Sequence, residues 1–218
     1  MDPAFSEAVP FALGILLSPF PVVPVILLLL SDRATATGTA FLATLIAGVA
    51  LVTTVFVLLS ELIDFPEHPP NWASWTRIGL GTALIVLAVR QWLTRAPDGK
   101  QPAWLASVES ASPGRAAQLG LLLSVANPKV LVLAAGGGLV LGAGDTTGVG
   151  TAALILLFAA LSAAAVAVPV LLHVVLGDRI RPVLVAARDW LQRNNSTITT
   201  IVIGAVGLLV AGNGVSAL

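Results

Sequence analysis

Cysteine is absent from the 218 residues. Its absence excludes disulfides, thiolate metal sites and cysteine nucleophiles, and it leaves the redox compartment open. Charge is nearly as scarce: Asp, Glu, Lys and Arg make up 10% of the chain, where a soluble domain averages about 25%. Acids and bases balance at eleven each, so total charge gives no footprint for nucleic acid, and no such partner is expected. The apolar runs contain no metal-ligating cluster, no nucleophile–base pair and no paired carboxylates. The sequence therefore points away from an enzyme, and no metal or cofactor is expected. The N-terminal MDPAFSEAVP has acids where a signal peptide carries its basic region, so the first apolar run is expected to be retained.

What fills the chain instead is apolar. It is 57% hydrophobic with a mean hydropathy of +0.97, the composition of an integral membrane protein. A spanning helix needs about 20 apolar residues. Charge-free runs of that kind lie between Glu7 and Asp32, between Arg33 and Glu61, between Asp145 and Asp178, and after Arg193. A further run, Arg115 to Asp145, is interrupted only by Lys129, and a shorter one lies in WTRIGLGTALIVLAVRQWL, flanked by Trp75 and Trp92. Six spans are expected. If they alternate, Arg33, Arg90, Arg95, Lys100, Arg115, Arg179, Arg181, Arg188 and Arg193 share one side, which the positive-inside rule makes cytoplasmic. Both termini then face outward from the inner or plasma membrane.

The two halves resemble one another. LGILLSPFPVVP at 13–24 and LGLLLSVANPKV at 119–130 both lead into a proline-containing break. TATGTAFLA and DTTGVGTAA, then RIGLGTALIVLA and VIGAVGLLVAG, continue the match more loosely. With three spans per half, the second half enters from the opposite side, giving an inverted-topology repeat. The expected fold is thus an all-α membrane protein of six helices in two inverted three-helix repeats. Residues 1–95 form the first repeat, 96–114 a cytoplasmic linker, and 115–218 the second. Within the second, 179–193 reads either as an amphipathic segment on the inner surface or as a cytoplasmic extension of a spanning helix, with Ile180, Val183, Leu184, Ala187 and Leu191 on one face. Asn194–Ser196 offers an N-cap for the last span. Possible pairing of two copies through the glycine-rich AAGGGLVLGAG (134–144) follows from the close packing small residues allow; that stretch lacks the lysine and hydroxyl of a phosphate loop.

Proline removes a backbone donor and clashes with the preceding turn, and in lipid such breaks face protein or a cavity. The first span carries Ser18, Pro19, Pro21 and Pro24 near its middle; the fourth carries Ser124, Asn127, Pro128 and Lys129. Helices restarting there direct positive dipole ends inward. A cation at mid-membrane costs at least about 2.5–3.5 kcal/mol, and no Asp or Glu lies at mid-depth in any expected span. Lys129 therefore snorkels outward, where Asp32 at the end of the first span is within reach, or is neutral, or takes its counter-ion from the substrate. Asp32, Arg33 and His173 are candidates for gating or coupling, although an interfacial anchor is the plainer reading of His173. Thr53, Thr54 and Ser162 either line a pathway or bond to their own helix.

SPFPVVPVILLLLSDRATATGTAFL together with NPKVLVLAAGGGL resembles the GAP family, small six-span proteins named for peptidoglycolipid addressing. That family is related to sulfolipid-addressing proteins and placed in the lysine-exporter (LysE) superfamily. The resemblance covers most of the chain and is strongest in the first, second and fourth spans. It implies export of cell-envelope glycolipids, and touches Ser18, Pro19, Pro21, Pro24, Asn127, Pro128 and Lys129. Asp32 and Arg33 fall where the family has a short polar turn. The leading expectation is an alternating-access exporter or flippase for an anionic amphiphile, with membrane lipids and the anionic substrate as partners. The alternatives are an exporter of amino acids or metal cations, and a scaffold for a lipid-export machine.

Overall fold

The computed structural model describes residues 3–18, 20–60, 111–144, 146 and 148–215, with isolated positions at 79, 82, 85, 86, 88–90, 92, 93 and 108. Pro19, most of the 96–114 linker and most of the expected third span lie outside the described residues. Every regular element among the described residues is helical: α1 (Pro3–Leu16), α2 (Val22–Leu29), α3 (Ala34–Ser60), α4 (Pro113–Val125), α5 (Pro128–Gly142), α6 (Val149–Ser162), α7 (Ala164–Leu176), a 3₁₀ turn (Gly177–Ile180) and α8 (Arg181–Val215). Of these, α3 alone is long and apolar enough to cross a membrane unaided. The α4–α5 pair is bent by 62°, and α6 meets the helical stretch that starts at Ala164 at 74°; counting each bent pair as one span gives three.

The chain divides into two compact units, each drawing on both halves of the sequence: residues 1–63 with 101–189, and residues 64–100 with 190–218. In the second unit, α8 from Trp190 onward is helical and Gly204 faces Ala88. The expected N-cap at 194–196 is not one. The helix runs straight through it, and Asn194 Nδ2 donates to the Trp190 carbonyl at 2.8 Å instead of receiving a backbone N–H.

The first unit is built around α3, which packs against α2, α4, α5, α6 and α7. Its core joins Phe5, Ala8, Ala12 and Ile15 of α1 to Val49, Val52 and Val57 of α3, to Val130, Ala134 and Leu141 of α5, and to Phe158 and Ala159 of α6. The glycine run of α5 allows this closeness. A methyl at Gly136 would lie 2.5 Å from Phe11 of α1, one at Gly137 would lie 2.5 Å from Phe158 of α6, and one at Gly138 would lie 2.6 Å from the Thr53 carbonyl of α3. Three consecutive residues without side chains thus receive three different helices, the small-residue packing expected in lipid. The same contacts fix directions. Gly144 faces Ala4, Gly136 faces Phe11, and Leu133 faces Gly14, so α1 and α5 run antiparallel. Gly120 faces Thr44 and Ser124 faces Gly48, so α4 runs parallel to α3.

Candidate functional site

Both breaks that the prolines predict are present. At the second, α4 ends at Val125 and α5 restarts at Pro128. Asn127 is the N-cap in extended conformation, and its Oδ1 accepts the Lys129 N–H at 3.1 Å. Pro128 has no N–H and Leu131 N–H already bonds the Asn127 carbonyl at 2.9 Å, so Val130 holds the one first-turn donor without an acceptor in the helix. At the first break, Pro21 caps α2 and Pro24 stands third in it, so only Val22 and Val23 bring donors to that end. The prolines that interrupt the helices thus remove the N–H groups that lipid would leave unsatisfied. The two helix ends are consequently poorer in free donors than a bare N-terminus.

The breaks meet at one level. The turn after α1 keeps helical bonds as far as Ser18, whose N–H reaches the Ile15 carbonyl at 3.0 Å. Carried one turn past the Gly14–Leu133 contact, beyond the end of α1, the antiparallel register brings Ser18 to about the level of Lys129. Along α3, this level lies between Gly48, which receives Ser124, and Thr53, which receives Gly138. That is near the middle of the 27-residue helix. Asn127 and Lys129 are half-buried and Pro128 is exposed, whereas Ser18, Pro21 and Pro24 are buried. Ser124 is fully buried against Gly48 and donates back to Leu121 at 2.8 Å, with the Gly120 carbonyl also in reach at 3.0 Å. Such back-bonding fits a serine in the last turn before a bend. Among the described residues no carboxylate pairs with Lys129. Thr53 and Thr54 bond carbonyls of their own helix at 2.8 and 2.7 Å.

A second group of expected residues comes together elsewhere. α2 and α3 are joined by a tight turn in which Ser31 Oγ donates to the Leu28 carbonyl at 2.7 Å and Thr37 Oγ1 lies 3.1 Å from the same oxygen. Arg181, from the start of α8, donates to the Leu30 carbonyl at 3.3 Å. Gly177 holds φ at +58°, where a side chain would be strained, and ends α7 there. The chain then enters the 3₁₀ turn that leads to Arg181. The result is a cavity of about 540 Å³ lined by Ser31, Asp32, Arg33 and the first residues of α3, and by His173, Asp178 and Arg181 across from them. An adjoining cavity of about 320 Å³ adds Leu30, Val185 and Arg188, the last bonded to Asp189 at 3.0 Å. Asp32 and Arg33 thus share one cavity with His173, 140 residues further along the chain, and Lys129 lines neither. Within 179–193, Ile180 and Leu184 are buried but Val183 is exposed, and α8 carries the segment onward as one helix.

The bend at Ala163, between α6 and α7, has no counterpart in the expected site. No proline stands at it; Pro169, which deprives the Ala165 carbonyl of a donor, comes six residues later. Ser162, at the end of α6, is buried and its Oγ has no hydrogen-bond partner among the described residues. The sequence offered Ser162 only as one hydroxyl among several.

Compared with family models, residues 8–216 match the one described as Sap, sulfolipid-1-addressing protein. The chain belongs to this sulfolipid-1-addressing family. Membership agrees with the GAP-type resemblance and, with the apolar helices, makes this a membrane protein. No curated protein and no solved structure matches the chain.

Proposed function

We propose that the protein moves an anionic amphiphile, a cell-envelope glycolipid or lipid-linked sugar, across the membrane by alternating access. The observation carrying this reading is the register that brings Ser18 to the level of Lys129, halfway along α3, where two helices running in opposite directions are both broken. A lysine at that depth wants an anion, and Asn127 and the Val130 N–H stand beside it. The lipid tails would stay in the bilayer while the acidic group crosses between α1–α2 and α4–α5. The family's description, which names a sulfolipid, is in keeping with an acidic cargo. Antiparallel α1 and α5 are in keeping with an inverted repeat; six spans, outward-facing termini and kinship to the lysine-exporter superfamily are further parts of the proposal. No enzymatic step belongs to this reading. A cation exporter would need a carboxylate at mid-depth, and none stands there among the described residues.

Full-length protein in liposomes should translocate a fluorescent acidic lipid, and Lys129→Ala should slow it about tenfold or more, the usual result of removing one partner of a buried charge pair. Undiminished translocation by Lys129→Ala removes the lysine from the site. Failure of the wild type to transport alone, together with capture of a stable complex, favours a scaffold.

A further inference from the structure

The stretch FAALSAAAVAV (158–168), which carries the bend at Ala163, contains neither glycine nor proline. Alanine is the strongest helix former, so nothing in these residues asks for a break. Yet α6 meets the helical stretch that starts at Ala164 at 74°. The bend leaves local bonds unmade. In a straight helix the Val166 N–H would reach the Ser162 carbonyl. Here it takes the Ala163 carbonyl at 2.9 Å, and the Ala167 N–H takes the same oxygen at 2.8 Å. Ser162 Oγ is buried and has no hydrogen-bond partner among the described residues, which is costly. Local preference therefore favours the straight form, and packing holds the bent one.

Two contacts hold it, one on each side of the joint. On α6, Phe158 is seated on Gly137 of α5, whose neighbour Gly138 meets the Thr53 carbonyl. On α7, Val170 lies against Gly38, near the start of α3. The bend thus falls beside the middle of α3, and α7 covers the half of α3 that leads from there to the cavity containing His173. At the far end, Gly177 turns the chain out of α7, and beyond it Arg181 bonds the Leu30 carbonyl in an exposed position. So α7 lies between a joint and a tether. Lifting it gives up little. His173 Nδ1 has no partner among the described residues, and the buried Val166 and Val170 would meet lipid tails as apolar as themselves. An element whose sequence prefers one shape while its packing imposes another is suited to switching between two.

We propose that α7 is a gate that turns about Ala163 and is latched shut by Arg181 on the Leu30 carbonyl. Closed, it covers the first half of α3. Open, with α6 and α7 nearer to one straight helix, it joins the cavity at the α2–α3 turn to the level of Lys129. The gate deepens the transport reading and rests on it only for the passage of cargo; the movement itself does not depend on transport. The 13 residues of α7 span about 20 Å, so straightening by about 30° carries its far end about 10 Å.

The test spin-labels full-length protein in nanodiscs at Thr35→Cys on α3 and Val175→Cys on α7, both exposed positions. Pulsed electron resonance should give two distance populations, the longer by about 10 Å. Arg181→Gln should raise the ratio of long to short about fivefold, the weight of one exposed hydrogen bond. Ala165→Pro should do the reverse. In the bent form it stands in the first turn of α7, where the lost N–H is tolerated, but in a straight helix its ring would strike the Leu161 carbonyl. That variant should lose the long population and, with it, transport in liposomes. A control pair, Leu51→Cys on α3 with Leu156→Cys on α6, should give one distance throughout. One and the same distance for the first pair in wild type and Arg181→Gln overturns the gate. So does an Ala165→Pro protein that keeps both populations, or that transports fully from the short one alone. If Ala165→Pro does not fold, the Arg181→Gln ratio decides. Two populations that shift as described in a protein that moves no lipid leave the gate standing and remove the transport reading, so the two failures are distinct.

Discussion

Arg181 Nη2 lies 3.3 Å from the carbonyl oxygen of Leu30, joining residues 151 positions apart. Leu30 is the C-cap of α2, where the last carbonyls lack helical donors and a cation meets the negative end of the helix dipole. The bond is exposed, so its contribution is about 1 kcal/mol. Arg181→Gln should lower the melting temperature in nanodiscs by about 2–4 °C, and Arg181→Lys by less. An unchanged melting curve for Arg181→Gln would show that the bond does not form in a bilayer.

Asn127 separates two roles. As the N-cap of α5 it holds the Lys129 N–H, and Asn127→Ala should cost about 0.5–2 kcal/mol. Asn127→Asp keeps an accepting oxygen in the same place and should fold as well as the wild type. It also sets a carboxylate beside Lys129, which would compete with an acidic cargo. Stability measured by denaturation, set beside transport in liposomes, should therefore show Asn127→Asp stable but slow. A stable variant with full transport would mean that the cargo's acid does not sit at this helix end.

The absence of cysteine makes the shared level of the two breaks directly measurable. Ser18→Cys combined with Lys129→Cys should be joined by a short bifunctional maleimide, seen as protection from later thiol labelling. Ser18→Cys with Ala143→Cys should not, because fourteen helical residues put Ala143 about 20 Å further along α5. Equal reaction of both pairs, or of neither, would contradict the antiparallel register.

Gly137→Ala should destabilise the fold by about 1–3 kcal/mol, because its methyl would stand 2.5 Å from the ring of fully buried Phe158. Trimming the ring in Gly137→Ala/Phe158→Leu should recover part of that loss, with a coupling of about 1 kcal/mol in a double-mutant cycle. Simple additivity would place the ring elsewhere.

The parts of this architecture that were legible beforehand are those with a local cause. Pro21 and Asn127–Pro128 stand at helix starts, because a missing donor and a ring clash belong to the residue itself and cost nothing there, whereas Pro10 and Pro169 lie inside α1 and α7 without ending them. Glycines at 136–138 likewise announce close packing, though not that each meets a different helix. The bend at Ala163 stayed hidden because Ser162 and Ala164 flank it and the nearest proline comes six residues later. The cavity stayed hidden for another reason. Asp32 and Arg33 meet His173, Asp178 and Arg181 through the folding of α7 against α2 and α3, and charge adjacency across 140 residues leaves no periodic trace. Asn194–Ser196 misled because a capping residue in sequence is also a residue that can bond back within a helix.

With Phe11, Phe158 and the Thr53 backbone each seated on one of three successive glycines, α5 has no face on which to roll. Rotation about its own axis would drive backbone into aromatic ring or carbonyl on one side or another. If the proposed transport cycle operates, its opening movement would have to be taken up elsewhere, for instance at the two-residue joint Ala126–Asn127 between α4 and α5. In such a cycle Lys129, one residue past Pro128 on α5, would be the fixed post past which the cargo is carried.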